Sequence, residues 1–265
     1  MILTNRKIVD SLNSIPIDDF YIITDFDGTL TKDNGISSWA SIFKNPKVNE
    51  EFVDECLKLF NYYHKFEVDE TLPIDKKKTI MAEWYRKNIE TVVNFKITEE
   101  IINYAAINGN EKVFRKGAAE FLKVMHNKNV PIIIISAGVG NIIEQYLIKN
   151  NCNYPNIYIC SNFFEYEKGI IKGVRDNVLI HPLNKNEVLL PEKIKTKIDS
   201  RKNVLVLDNS VLEISIADSR KNIYKLGFLD ENVDERMDSF KDKYDIVCTD
   251  NTSYDEIRKK ITILN

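Results

Sequence analysis

The sequence predicts an α/β fold: a doubly wound, Rossmann-like parallel sheet core with an inserted helical cap. Three observations predict it. Short apolar runs rich in β-branched residues recur along the chain, each of a length that suits a strand covered on both faces. Helical patterns separate these runs, and strand–helix alternation builds a doubly wound sheet. One stretch, from about Gly35 to Asn110, breaks the alternation with helices alone.

The strand-like runs, in chain order, are Tyr21 to Thr24, Pro131 to Ile135, Asn156 to Cys160, Val204 to Leu207 and Asp245 to Cys248, with Asn222 to Leu226 as a further strand. Between them, Gly117 to His126 and Gly140 to Asn150 carry helical patterns. Within the interrupting block, Asn49 to His64, Asp75 to Val92 and Thr98 to Asn108 read as helices, and no strand pattern occurs. A helical block placed directly after the first strand is read as a cap. The organisation is therefore core over 1–34, cap over 35–110 and core again over 111–265.

Composition bounds the function. The 265 residues, 43% hydrophobic and 29% charged, suffice for a packed core plus a smaller module. The formal charge of -3, from 37 basic and 40 acidic residues, gives no long-range attraction to a nucleic acid polymer or an anionic membrane. A small anionic substrate would need a local positive site. Cys56, Cys152, Cys160 and Cys248 lack paired or metal-type spacing and read as reduced thiols. The polar N-terminus and the lack of a long apolar run point to a cytoplasmic protein, a monomer or weak homo-oligomer. The run Lys76-Lys77-Lys78 reads as a solvated face.

The first strand runs directly into Asp25-Phe26-Asp27-Gly28-Thr29-Leu30-Thr31. Ligands of open α/β sheets bind beyond the carboxyl ends of strands. Aspartates two apart on a continuing strand face opposite ways, but a turn aided by Gly28 lets both approach one site. One carboxylate can then attack phosphorus while the other handles protons. A divalent cation would offset the repulsion between carboxylate and phosphate.

This segment resembles the first motif of the haloacid dehalogenase superfamily. The resemblance implies Asp25 as a nucleophile that forms an aspartyl-phosphate and Asp27 as general acid/base. Mg2+ is the implied cofactor, with Asp25 and the Asp27 backbone carbonyl among its ligands. Ser136-Ala137-Gly138, after the second run, is similar to the second motif, so Ser136 and the Ala137 N–H would hold phosphate. Lys185, in His181-Pro182-Leu183-Asn184-Lys185, matches the third.

The fourth motif departs from the pattern. Aligning Ser210 and Ile216-Ala217-Asp218 puts Asn209 where the metal-binding aspartate belongs, Asp208 at a glycine position and Glu213 in place of the second acid. An amide oxygen ligates magnesium without adding charge. The adjacent Asp208 carboxylate can supply that charge, and Glu213 can act through a water.

From about Phe20 to Leu264 the chain is similar to the pyrimidine 5'-nucleotidase family of cytosolic 5'-nucleotidase III type. The shared features include Tyr63, Glu67-Val68-Asp69, Glu83-Trp84-Tyr85, Ser136-Ala137-Gly138-Val139-Gly140, Pro155-Asn156 and Ser161-Asn162-Phe163. They continue with Asn184-Lys185, Gly227, Val233-Asp234-Glu235 and Tyr244-Asp245-Ile246-Val247. The resemblance implies a 5'-nucleotidase for pyrimidine nucleoside 5'-monophosphates, with Glu67 and Asn88 binding the nucleoside from the cap. Asn88 stands where the family has serine. Tyr63, Phe66, Trp84 and Tyr85 either form a base-stacking surface or pack the cap helices together. Two other readings stay open: a phosphatase for another small phosphoester such as phosphoserine, and a non-catalytic nucleotide-binding homologue, which Asn209 would favour.

Overall fold

The computed structural model describes residues 1–32, 36–69, 71–108, 113–185, 190–210 and 222–265. Its main sheet has seven strands: β1 (Ile2–Thr4), β2 (Phe20–Thr24), β3 (Ile132–Val139), β4 (Ile157–Asn162), β7 (Asn203–Asp208), β8 (Asn222–Leu229) and β9 (Ile246–Thr249). A two-stranded hairpin, β5 (Phe164–Glu167) and β6 (Ile170–Val174), stands apart. The sheet order is β1-β9-β8-β7-β2-β3-β4, parallel throughout except for β1, which pairs antiparallel with β9.

Period-two alternation explains the layering. Phe20, Ile22, Ile132, Ile134, Leu205 and Leu207 bury one face, against α1 (Arg6–Asn13), α6 (Ala118–Asn127), α7 (Gly140–Lys149) and α10 (Tyr254–Lys260). Their neighbours Tyr21, Ile23, Ile133, Ile135, Val204 and Val206 bury the other, where Ile194 and Ile198 of α8 (Glu192–Ile198) lie. Helix α9 (Val233–Lys243) packs Phe240 beside Leu229 and Val247. This is the doubly wound α/β fold that the alternation of runs predicts.

All six expected strands form, most of them longer than the apolar runs. Strand β3 continues past Ile135 through a register irregularity to Val139, because the small residues Ser136, Ala137 and Gly138 allow the bend. The sequence reading misses β1 and the β5–β6 hairpin. Strand β1 is three half-buried residues at an edge, too short to show a period.

The block after β2 is helical, as expected: α2 (Ser38–Phe43), α3 (Glu50–Val68), α4 (Ile74–Asn94) and α5 (Glu99–Asn108). Side chains of Ser37 and Asn49 accept from the backbone N–H groups of Ala40 and Phe52 and so start α2 and α3. Ile42, Phe52, Val92, Ile97 and Ile102 form their own apolar cluster with Phe164, Ile171 and Val174 of the hairpin. The hairpin, although it lies in the 111–265 segment, is thus packed with the helices. All four cysteines are free thiols.

Candidate active site

The chain turns back on itself at β2. Strands β3 and β4 are laid down on one side, then β7, β8 and β9 on the other. The carboxyl ends of β2, β3 and β7 therefore meet at a topological switch point, where such sheets bind ligands. Asp25 follows β2 directly. Its N–H donates to the Leu207 carbonyl at 2.9 Å, and its Oδ1 accepts from the Phe26 N–H at 2.7 Å. Phe26, fully buried against Tyr146, anchors the turn. Gly28 has φ +76°, and a Cβ there would meet the Asn209 Nδ2 at 2.1 Å, so only glycine fits.

The turn places Asp27 as expected, on the same side as Asp25. Its Oδ2 accepts from both the N–H and the hydroxyl of Ser38, each at 2.8 Å. The Ser38 hydroxyl also accepts from the Val139 N–H at 3.0 Å. One fully buried serine thus joins the Asp27 turn, the start of α2 and the end of β3. Sequence reasoning missed it, since a serine beside Ser37 looks like an ordinary helix cap.

Lys185 meets Asp25 across 160 positions of sequence: Nζ donates to Asp25 Oδ2 at 2.7 Å, and both residues are buried. Burial alone would lower the Lys185 ammonium, but Asp25, Asp208 and Asp27 outweigh it, so its pKa is raised. Asp208 lies beneath, at the end of β7. Its pKa is raised to about 7, because burial and the Asp25 carboxylate push it up by more than Lys185 pulls it down. Its Oδ1 accepts from the Asn209 N–H at 2.8 Å. Its Oδ2 is buried without a hydrogen-bond partner among the described residues.

That orphaned oxygen is the feature that a divalent cation fits. A buried acceptor without a donor is costly, and hard cations take carboxylate, amide and carbonyl oxygens together. Among the described residues no three His, Cys, Asp or Glu side chains gather as a metal site. The expected participants Glu213 and Ile216-Ala217-Asp218 lie outside the described residues.

At the end of β3, Ser136 is buried, and its hydroxyl accepts from the Gly138 N–H at 3.1 Å. The Ala137 carbonyl accepts from Trp39 Nε1 at 3.0 Å and from Asn162 Nδ2 at 2.9 Å. Asn162, fully buried, also donates to the carbonyls of Gly138 and Ile180 and accepts from the Ile180 N–H. It therefore ties the Ser136 bend to the segment that carries Lys185. Within that segment Asn184 Oδ1 accepts from the His181 N–H, and Asn184 Nδ2 donates to the Leu179 carbonyl.

Arg115 braces the same turn from behind. Its guanidinium is 1% exposed, donates to the carbonyls of Gly28 at 2.7 Å and Thr29 at 3.2 Å, and pairs with Asp230 at 2.7 Å. Neither Arg115 nor Asn162 stands out as catalytic in sequence. For Asn162 the available signal was the shared Ser161-Asn162-Phe163 segment; Arg115, beside Lys116, carried none.

Above the carboxylates opens a cleft of about 1140 Å³. Asp25, Asp27, Ser136, Ala137, Lys185 and Asn209 line it, together with Glu67 of α3 and Trp84, Tyr85 and Asn88 of α4. Among the described residues, every expected catalytic, phosphate-binding, nucleoside-binding or metal-binding residue except the buried Asp208 reaches it. The four aromatics divide. Trp84 and Tyr85 face the cleft, whereas Tyr63 stacks behind Trp84 at 5.9 Å, donates to Glu83 and, like Phe66, packs between helices. Burial and the Glu67, Asp25 and Asp27 carboxylates hold the Tyr85 hydroxyl well above its usual range. The expectation of a solvated lysine run is corrected at Lys77. It is 4% exposed, because its Nζ donates to the Glu67 carbonyl at 3.1 Å near the end of α3.

The profile of the pyrimidine 5'-nucleotidase family (UMPH-1) matches residues 26–264. The chain belongs to this family. It is 30% identical over 263 residues to the 7-methylguanosine phosphate-specific 5'-nucleotidase of Mus musculus, covering 95% of this chain and 87% of the relative. The Homo sapiens protein of the same name is also 30% identical, over 262 residues. Among solved structures, cytosolic 5'-nucleotidase IIIB bound to cytidine superposes with a TM-score of 0.88 at 26% identity, over 99% of this chain and 93% of that one. A substrate-bound phosphoserine phosphatase, at 20% identity and a TM-score of 0.57, shares the fold over 92% of this chain. This family member is therefore a phosphoric monoester hydrolase on the haloacid dehalogenase phosphatase fold. None of its described helices is long and apolar enough to cross a membrane.

Proposed function

We propose that the chain releases phosphate from nucleoside 5'-monophosphates in the cleft between a core (1–34 and 111–265) and a cap (35–110). The observation that carries this is the buried Asp25–Lys185 pair at 2.7 Å on the floor of a cleft whose other wall holds Glu67 and Trp84. Lys185, the Ser136 hydroxyl and the Ala137 N–H hold the phosphate. An Asp25 oxygen attacks phosphorus in line as the bond to the ribose 5'-oxygen breaks. Asp27, oriented by Ser38, gives its proton to that leaving oxygen. Asp27 then takes a proton from the water that attacks the phosphorus of the aspartyl-phosphate, releasing phosphate and restoring Asp25. Asp25, Asp208, Asn209 and the Asp27 carbonyl would hold Mg2+, which supplies charge to offset repulsion between carboxylate and phosphate.

Glu67 accepts hydrogen bonds from the base and Asn88 contributes donors and acceptors, with Trp84 and Tyr85 beside them. The relatives are named for 7-methylguanosine phosphate, the family for pyrimidine nucleotides, and the solved neighbour binds cytidine. Each of these bases offers N–H groups to a carboxylate. Cytoplasmic placement accords with the cytosolic neighbour.

The test is phosphate release from CMP, UMP, 7-methylguanosine monophosphate and phosphoserine with and without Mg2+. Turnover of nucleotides that Asp25→Asn abolishes is expected. Turnover of phosphoserine alone would overturn the nucleotide reading, and nucleotide binding without release would turn it into the non-catalytic one that Asn209 favours.

A further inference from the structure

His64 lies one helical turn before Glu67 on α3, and both side chains line the cleft. The imidazole Nδ1 is 2.9 Å from Glu67 Oε2. Its ring is stacked on Phe60, centroids 4.7 Å apart and planes 16° apart, so its direction is fixed. Phe60 in turn lies 6.2 Å from Trp84. The side chains of His64 and Glu67 are 44% and 23% exposed, which leaves the pair reachable from the cleft. Among the described residues, titratable groups of α4 also face the pair. They are Lys77, on the Glu67 carbonyl, and Tyr85, buried and close enough for Glu67 to act on its hydroxyl.

We propose that His64 is a specificity-determining residue, whose pairing with Glu67 sets the net charge of the base-binding end and so decides between neutral and cationic bases. The inference rests on Glu67 being the base acceptor, as proposed above. With a neutral imidazole, Glu67 leaves a net negative charge beside the base. An N7-methylated guanine carries positive charge in its ring and gains from that carboxylate. With an imidazolium, the pair is neutral overall and the gain disappears. A cytosine or uracil ring has no net charge and senses the difference far less. The hydrogen bond that His64 donates to Glu67 raises the His64 pKa and burial opposes it, so the charged form persists in mildly acidic solution.

The test compares the parent with His64→Gln, which keeps a neutral donor, at about pH 6 and about pH 8.5, either side of the imidazole range. Comparing variant with parent at each pH cancels the titration of the substrate itself. At the lower pH, KM for 7-methylguanosine monophosphate is expected to fall about threefold, the effect of a unit charge ~6 Å away in a near-aqueous dielectric. KM for CMP stays within experimental scatter and kcat is unchanged. At the higher pH parent and variant coincide for both substrates. In a Glu67→Gln background the imidazole loses the hydrogen bond that favours its charged form, so adding His64→Gln should lower KM for 7-methylguanosine monophosphate by less than it does in the parent.

An equal change in both KM values, or the same change at both pH values, would overturn the proposal. Calorimetric binding of 7-methylguanosine and cytidine, in parent and His64→Gln, reads the base-binding end without turnover. If the parent fails to release phosphate but binds these nucleosides with the expected ratio, the catalytic reading fails and the His64 inference stands. If neither nucleoside binds, the inference falls.

Discussion

Truncating Arg115 gives the most demanding prediction. Its guanidinium and the Asp230 carboxylate are both nearly inaccessible, at 1% and 3% exposure. In Arg115→Met, Asp230 keeps the Asn251 N–H as a donor but loses its counter-charge. Stranding a buried charge costs about 3–5 kcal/mol. For a chain of this size, about 2–4 °C of Tm accompanies each kcal/mol, so Tm should fall by roughly 6–20 °C. The double variant Arg115→Met/Asp230→Leu removes the stranded charge as well and should regain most of that stability. It still leaves the Gly28 and Thr29 carbonyls without the donors that hold the Asp27 turn. Its kcat should therefore stay down by about 10-fold to 100-fold, as misplacing a reacting group by ~1 Å does. Thermal melts and phosphate release on the same two proteins separate the effects. A double variant that melts as low as the single one would refute the stranded-charge account, and one with full kcat would refute a positioning role for Arg115.

Asn209→Asp adds a carboxylate beside Asp208 and Asp25. It should lower the Mg2+ concentration for half-maximal activity by about tenfold, the low end of what altering a metal's surroundings does, and should lower Tm when Mg2+ is chelated. Ser38→Ala removes the hydroxyl donor to Asp27 Oδ2 and the acceptor for the Val139 N–H. A loss of about 1–3 kcal/mol in stability and a larger fall in kcat than rise in KM are expected from melts and steady-state kinetics. His181 is a base whose pKa burial, with a smaller push from Lys78, depresses to about 4. Unfolded, it binds a proton at about 6.5, so the unfolded chain is favoured as pH falls from that value toward 4. His181→Asn should flatten this part of the Tm–pH curve, and an unchanged slope would contradict the burial argument.

Much of the fold was legible because the core strands carry apolar runs at their centres, as Val204 to Leu207 does within the buried Asn203–Asp208 strand. The carboxylates and Lys185 were legible for a different reason: local motifs mark them, and the topology then brings them together. The partners of the supporting residues were not legible, even where Ser161-Asn162-Phe163 stands out as a shared segment. Ser38, Arg115 and Asn162 act through partners roughly 10 to 140 positions away, and no local pattern encodes such pairings. Lys77 shows the opposite failure. A lysine between two others looks solvated, yet helix geometry turns each residue about 100° from the last, and one of the three faces inward. The hairpin escaped notice because Phe164 to Val174 is short and partly exposed, and its packing partners belong to the helical block.

Asn162 has a consequence for how this protein acquires its working shape. One amide side chain satisfies carbonyls at Ala137, Gly138 and Ile180 and the N–H of Ile180, and an amide left half matched in a dry interior is worse than an apolar residue. The two loops it joins therefore cannot dock one at a time at low cost. The Ser136 bend and the lysine-bearing loop should lock together in a single late event, and a chain that has its sheet but not this clasp would be folded in outline and inert.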